Sequence, residues 1–190
     1  MSTLREYLVQ KRSALLWRRA EAAREPAGPR TLEANVTAEG RSGVRRIRIR
    51  DFQVISDSPP DFAGYNLGPS SPELQLGALG SCLTHVFLIQ AADLEIPLDA
   101  LTVKVRGELD GRARQEGFEH IPIYPHNIWY DVQVESTAPA EDIRRLHEAV
   151  EAACPILNLL VQPQTIRGTV HLNGSATSRL TIGDRAIASA

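Results

Sequence analysis

The sequence predicts an α+β protein in which mainly antiparallel strands pack around one long central helix. Three observations lead there. From Leu74 to Ala92, nineteen consecutive residues include no Asp, Glu, Lys or Arg, so a helix over this stretch is apolar on every side and needs cover on every side. Before and after it, several segments alternate apolar and polar residues with a period of two, the pattern of strands with one wet face. The order of segments, read along the chain, is helix, three strands, long helix, two strands, helix pair and strand. With 190 residues the chain is the size of one domain, long enough to bury roughly 70% of its unfolded surface.

Thr3 to Ala23 reads as an amphipathic helix. Thr3 and Glu6 have capping-box spacing, and Leu4, Leu8, Ala14, Leu15 and Trp17 can form an apolar stripe. Pro26, Gly28 and Pro29 end it, so residues 1–30 form a helical arm and linker, able to dock on the body or on a partner chain. Leu32 to Thr37, Val44 to Arg50 and Phe52 to Ser56 alternate as strands, the first two joined across Glu39-Gly40-Arg41-Ser42-Gly43, where two glycines permit positive φ. Residues 57–72, rich in Pro and Gly, read as an ordered loop.

The central helix opens on Ser70, Pro72 and Glu73, which supply a capping box, a first-turn proline and a negative charge at the positive helix end. Gly77 and Gly80 each cost about 1 kcal/mol against Ala inside a helix, which predicts a close approach there. Pro97 stops the helix, and Leu101 to Leu109 and Ile128 to Glu135 alternate as strands. Pro139 to Ala153 is helical, Pro155 interrupts it, and a short helix follows over Ile156 to Val161. Thr165 to Asn173 is the last strand. The domain is thus expected over 31–174, with a polar tail over 175–190.

A net charge of −2 gives no general attraction for nucleic acid or an acidic membrane surface. The Arg41–Arg50 run alternates as a strand with one wet face. The central helix approaches membrane-spanning length, but its glycines, Gln75, Ser81, His85 and Gln90 point to a protein core. No secretory segment opens the chain, and a cytoplasmic location is expected. There is no phosphate loop, dinucleotide fingerprint or Ser-His-Asp order. His85 lacks a second ligand pair at zinc spacing, so no metal is expected, and it reads as a wall residue near the thiol.

Two cysteines remain, Cys82 on the central helix and Cys154 beside Pro155. Each reads either as a small apolar core residue or as half of a redox pair, in which Cys82 attacks a peroxide and Cys154 resolves the sulfenic acid. The second reading requires a thiolate, and Cys82 lies too far along its helix for the dipole to supply one.

The segment Ser-Pro-Glu-Leu-Gln-Leu-Gly-Ala-Leu-Gly-Ser-Cys-Leu (71–83) resembles the first-cysteine helix of the OsmC/Ohr family of hydroperoxide reductases. Glu-Ala-Ala-Cys-Pro-Ile-Leu-Asn-Leu-Leu (151–160) is similar to its second-cysteine motif, and Glu-Gly-Arg-Ser-Gly (39–43) to its arginine-bearing hairpin. The resemblance spans Leu32 to Asn173 and marks a divergent branch with an extra N-terminal arm. It implies an intertwined homodimer around two central helices, Cys82 as the peroxidatic thiol, Cys154 as the resolving thiol, and Arg41 as the cation beside Cys82. It further implies a glutamate that holds this arginine, an organic hydroperoxide substrate, a dihydrolipoyl-type dithiol as reductant, and no cofactor. Glu73 is the candidate glutamate, yet it precedes Cys82 by nine residues, half a turn out of phase on a regular helix; its other reading is a plain helix cap. Arg45 and Arg46 compete with Arg41. An apolar wall of Leu79, Val86 and Phe87 around Cys82 would suit a greasy peroxide. The alternative function is a non-catalytic dimer that binds a ligand or serves a structural role.

Overall fold

The computed structural model describes residues 3–183. Over these it contains four α-helices and seven strands, all paired antiparallel, the α+β architecture expected from the period changes along the chain.

Helix α1 (Leu4–Arg24) starts at Thr3, whose hydroxyl accepts from the Glu6 amide at 3.3 Å while the Glu6 carboxylate accepts from the Thr3 amide at 2.9 Å. It lies against the C-terminal end of α2 (Ser71–Asp93). Arg12 donates to the carbonyls of Ala92 and Asp93 at 3.0 and 2.7 Å, groups left without partners at a helix end. Arg19 forks onto Asp93 at 2.6 and 2.7 Å, and Arg5 onto Asp99 at 2.5 and 2.7 Å. The arm therefore docks on its own body. Its inward stripe is the buried Leu8 with the half-buried Leu4 and Leu15, whereas Trp17 is 65% exposed. Nine residues separate Leu8 from Trp17, a half-turn of helix, so the expected stripe included a residue from the opposite face.

Strands β1 (Asn35–Glu39), β2 (Val44–Ile49) and β3 (Phe52–Ser56) form a three-stranded sheet. Strand β1 begins at Asn35, later than the expected Leu32. The turn fixes this register, since Gly40 and Gly43 both take positive φ and Glu39 pairs with Val44. The following loop is ordered as expected. The buried Asp57 carboxylate accepts from the Leu67 and Tyr65 amides at 3.1 and 2.9 Å, and bonds from backbone amides, that of Leu67 first and then those of Ser58 and Tyr65, hold its pKa below the usual range. A Cβ at Gly64 would fall 1.9 Å from the Ser58 carbonyl oxygen, so only glycine closes this loop.

Helix α2 is the organising element. Leu79, Leu83, Val86, Phe87, Ala91 and Ala92 make its buried stripe. They pack with Leu98 and with Leu146 and Val150 of α3 (Ala140–Ala153). Strands β4 (Ala100–Glu108) and β5 (His126–Glu135) pair antiparallel, with β4 against α2 and the valines of both strands packed on this core. The close approach expected at the glycines occurs at Gly80, where a Cβ would come within 3.2 Å of Val105; Gly77 faces open space. Although α2 is long and apolar enough to cross a membrane by length and composition, one face packs as a core helix. Its other face, with Gly77, Ala78 and Ser81, is uncovered in the single chain.

Helix α4 (Pro155–Val161) follows α3, and β6 (Ile166–Leu172) and β7 (Ser175–Ile182) form a final hairpin. Strand β7 corrects the expected polar tail over 175–190, of which 184–190 lie outside the described residues. Asn173 and Gly174 both take positive φ, the conformation that a two-residue hairpin turn needs and that Asn-Gly favours.

Candidate active site

Cys154 is positioned by the break between α3 and α4. Pro155 has no amide hydrogen and disfavours helical geometry in the residue before it. Cys154 accordingly takes extended backbone (φ −75°, ψ 112°). Its amide still donates to the Val150 carbonyl at 2.9 Å, and its own carbonyl accepts from the Asn158 amide at 3.0 Å. The Asn158 side-chain amide adds bonds to the carbonyls of Cys154 and Glu151, at 2.9 and 3.1 Å. The junction is tied on both sides, and the thiol points into the core with no exposure.

Cys82, about three turns into α2, is partly exposed and meets Cys154 there. Burial pushes its thiol pKa up, the Ile156 amide at the start of α4 pulls it down, and the adjoining Cys154 pushes it up again through a hydrogen bond and like charge. The net direction is upward. The structure thus brings together the two cysteines that the sequence singled out, in reach of one another and both as free thiols.

The supporting pair is placed elsewhere. Glu73 accepts from both the amide and the hydroxyl of Ser70 at 2.7 Å, the capping arrangement, and these bonds lower its pKa. Arg41 lies exposed on the β1–β2 turn and makes no hydrogen bond or ion pair among the described residues. Neither acts on Cys82 within one chain. Its rivals are engaged: Arg45 donates to Ser56 and Ser58, and Arg46 pairs with Glu39 and donates to Gln53. His85 is exposed, and partial burial first, then the Lys11 charge of α1, lower its pKa. The expected apolar wall is also corrected. Leu79, Val86 and Phe87 are closed into the core, because they share the stripe that packs on α3 and β4.

A second polar cluster borders the cysteines and was not anticipated. Tyr130 of β5 donates to Glu151 Oε1 at 2.6 Å and has His147 Nε2 at 2.7 Å. The His147 ring stacks on Phe87 of α2, with centroids 6.1 Å apart, and meets the Tyr130 ring edge-on at 5.8 Å. Burial first, then the Glu151 carboxylate, push the Tyr130 pKa up, and a charge on Cys154 would add to this. Spacing carried a partial signal: His147, Glu151 and Cys154 follow at four and three residues, the repeat of one helix face.

The family model described as OsmC-like protein matches residues 64–167, more than half of the chain. Among solved structures, an OsmC-like protein from Mycoplasma pneumoniae superposes with a TM-score of 0.59 at 16% identity, over 70% of this chain and 89% of that one. An OsmC-like protein of unknown function from Vibrio cholerae O1 biovar eltor gives 0.57 at 16% identity, over 70% and 96%. A Legionella pneumophila structure, titled as an organic hydroperoxide resistance protein OsmC, gives 0.50 at 15%, over 71% and 92%. At these identities the likeness is one of fold. No curated protein sequence matches the chain. By fold and by the family match across the α2 and Cys154 segments, the chain belongs to the OsmC-like protein family.

Proposed function

We propose that the protein is a thiol-dependent peroxidase that reduces organic hydroperoxides to alcohols. The observation that carries this reading is the meeting of Cys82 with the buried Cys154. The Cys82 thiolate attacks the terminal peroxide oxygen, the O–O bond breaks, and the alkoxide leaves as alcohol on taking a proton. The sulfenic acid left on Cys82 is attacked by Cys154, giving a disulfide and water. An external dithiol of the dihydrolipoyl type then restores both thiols, with no further cofactor. Partial exposure of Cys82 and burial of Cys154 suit an attacking and a resolving thiol respectively. A relative of the same fold named as an organic hydroperoxide resistance protein supports this substrate class.

Titration with one equivalent of cumene hydroperoxide tests the reading. Two thiols per chain should disappear, with no intermolecular crosslink on a non-reducing gel; unchanged thiols would refute it.

The acting unit on this reading is a homodimer. The small-residue face of α2 borders an open groove of about 490 Å³ with Glu73, Gly77, Gly80 and Thr84. Leaving that face wet would forgo roughly 25 cal/mol per Å² of apolar burial. The second chain also offers the route by which Arg41 reaches a Cys82. Sedimentation at micromolar concentration should give twice the chain mass, and a monomer there would remove the dimer. A non-catalytic dimer is the second reading. It is favoured by the absence, among the described residues, of any cation acting on Cys82 within one chain.

A further inference from the structure

Pro155 leaves a gap in the hydrogen bonding of α3. In a regular helix the amide four residues on would donate to the Glu151 carbonyl, and here that residue is Pro155, which has no N–H. The neighbouring Cys154 amide is spent on Val150 at 2.9 Å. The Glu151 carbonyl instead accepts from the Asn158 side-chain amide at 3.1 Å, its one partner among the described residues. The same NH2 group also donates to the Cys154 carbonyl at 2.9 Å, which the Asn158 backbone amide reaches at 3.0 Å. Facing two carbonyl oxygens, only the NH2 end of the side chain fits, since its own oxygen is an acceptor.

We propose that Asn158 is a positioning residue for disulfide closure: its side chain supplies the bond that Pro155 withholds and so holds Cys154 in place for Cys82. The assignment rests on the thiol-peroxidase reading. There the Cys154 sulfur attacks the sulfenic sulfur of Cys82, the S–O bond breaks, and the hydroxide leaves as water with the Cys154 proton. A disulfide demands narrow geometry, with Cβ atoms about 3.5–4.5 Å apart and a dihedral near a right angle. Small changes in the backbone at either cysteine therefore decide whether the bond closes.

Cys82 sits within a long helix, whereas Cys154 is the joint between two, at φ −75° and ψ 112°. A following proline confines that residue to a broad extended region without fixing a value. The bond from Asn158 of α4 to Glu151 of α3 spans the joint, so the two helices cannot swing about Cys154 without breaking it. Helix α4 also packs on α2, the helix that carries Cys82, with Ile156, Leu157 and Leu160 against the same core. The angle at the joint thus sets where Cys154 stands relative to Cys82. Asn158 is half-buried, so water competes for the two carbonyls once its side chain is removed, and a graded loss is expected.

The test reads the cysteine pair first as an equilibrium. Wild type, Asn158→Ala, Asn158→Leu and Asn158→Gln are equilibrated with mixtures of reduced and oxidised dithiothreitol, and thiol alkylation with intact mass gives the disulfide fraction. Asn158→Ala and Asn158→Leu should lower the equilibrium constant for closure at least fivefold, about 20 mV toward easier reduction. Asn158→Gln keeps both donors and should stand within twofold of wild type. Val44→Ala, at a buried position of β2 outside the core around Cys154, should melt earlier with its equilibrium unmoved. Where Asn158→Ala is too unstable to equilibrate, Asn158→Leu, which keeps the volume, carries the comparison. In a second experiment, stoichiometric cumene hydroperoxide with a dimedone quench separates the half-reactions. Asn158→Leu should form the Cys82 sulfenic acid within twofold of the wild-type rate and close the disulfide at least fivefold more slowly. An unchanged equilibrium in Asn158→Leu overturns the positioning role. So does an Asn158→Gln no better than Asn158→Leu, or a Val44→Ala that shifts the pair as far. If wild type forms no sulfenic acid, the peroxidase reading fails instead, and the dithiothreitol equilibrium decides the role of Asn158 alone.

Discussion

Leu83→Ala should destabilise the protein by about 2–5 kcal/mol, the range for removing a fully buried leucine. Leu83 has no exposure and sits on α2 where the helix meets the rest of the core, in the cluster with Leu79, Leu146 and Cys154. Truncation removes three carbons from contact and leaves a cavity whose walls belong to several elements, so collapse of any one cannot fill it. For a chain of this length each kcal/mol shifts the melting temperature by about 2–4 °C, so a fall of roughly 4–20 °C is expected by calorimetry. Glu148→Ala, on the exposed side of α3, should stay within about 0.5 kcal/mol. A Leu83→Ala protein that melts with wild type would mean that α2 does not organise this core.

Arg41→Ala should slow the reaction of Cys82 with cumene hydroperoxide tenfold or more at neutral pH. The chain by itself raises the Cys82 pKa, by burial above all, with the Ile156 amide as the opposing influence. While the thiol is mostly protonated, a tenfold change in its thiolate fraction is equivalent to about 1.4 kcal/mol. An arginine within about 4–6 Å has an effect of at least that size. Arg41 is the candidate, because Arg45 and Arg46 are held by Ser56, Ser58, Glu39 and Gln53. The sign gives a second check. Losing the cation moves the pKa up, so the deficit of Arg41→Ala should shrink as pH rises through it. Arg45→Ala combined with Arg46→Ala should cost less in stopped-flow rate. An Arg41→Ala protein as fast as wild type at neutral pH would remove this assignment.

Local chemistry was legible wherever the governing interaction spans a few residues. The two capping boxes, Thr3 with Glu6 and Ser70 with Glu73, lie where their spacing put them. The Pro155 break separates α3 from α4, and the period-two segments are strands. Asn173-Gly174 carried an equally local signal for the β6–β7 hairpin, yet the polar composition beyond it suggested a tail. The hairpin is held by backbone pairing, which composition does not report.

What the sequence alone determined is the set of elements, the long apolar helix and the two cysteines most worth pairing, because helix caps, proline breaks and hydrophobic periods act through neighbours in the chain. Tertiary structure decided which sides of those elements meet. It docked α1 on α2 through Arg5, Arg12 and Arg19, turned Leu79, Val86 and Phe87 into core, and placed Cys82 against Cys154. It also assembled Tyr130 with His147 and Glu151 from a strand and a helix. Such contacts depend on the angle at which each helix rolls onto its neighbours, and a rotation of half a turn, as between Leu8 and Trp17 or Glu73 and Cys82, exchanges one face for the other.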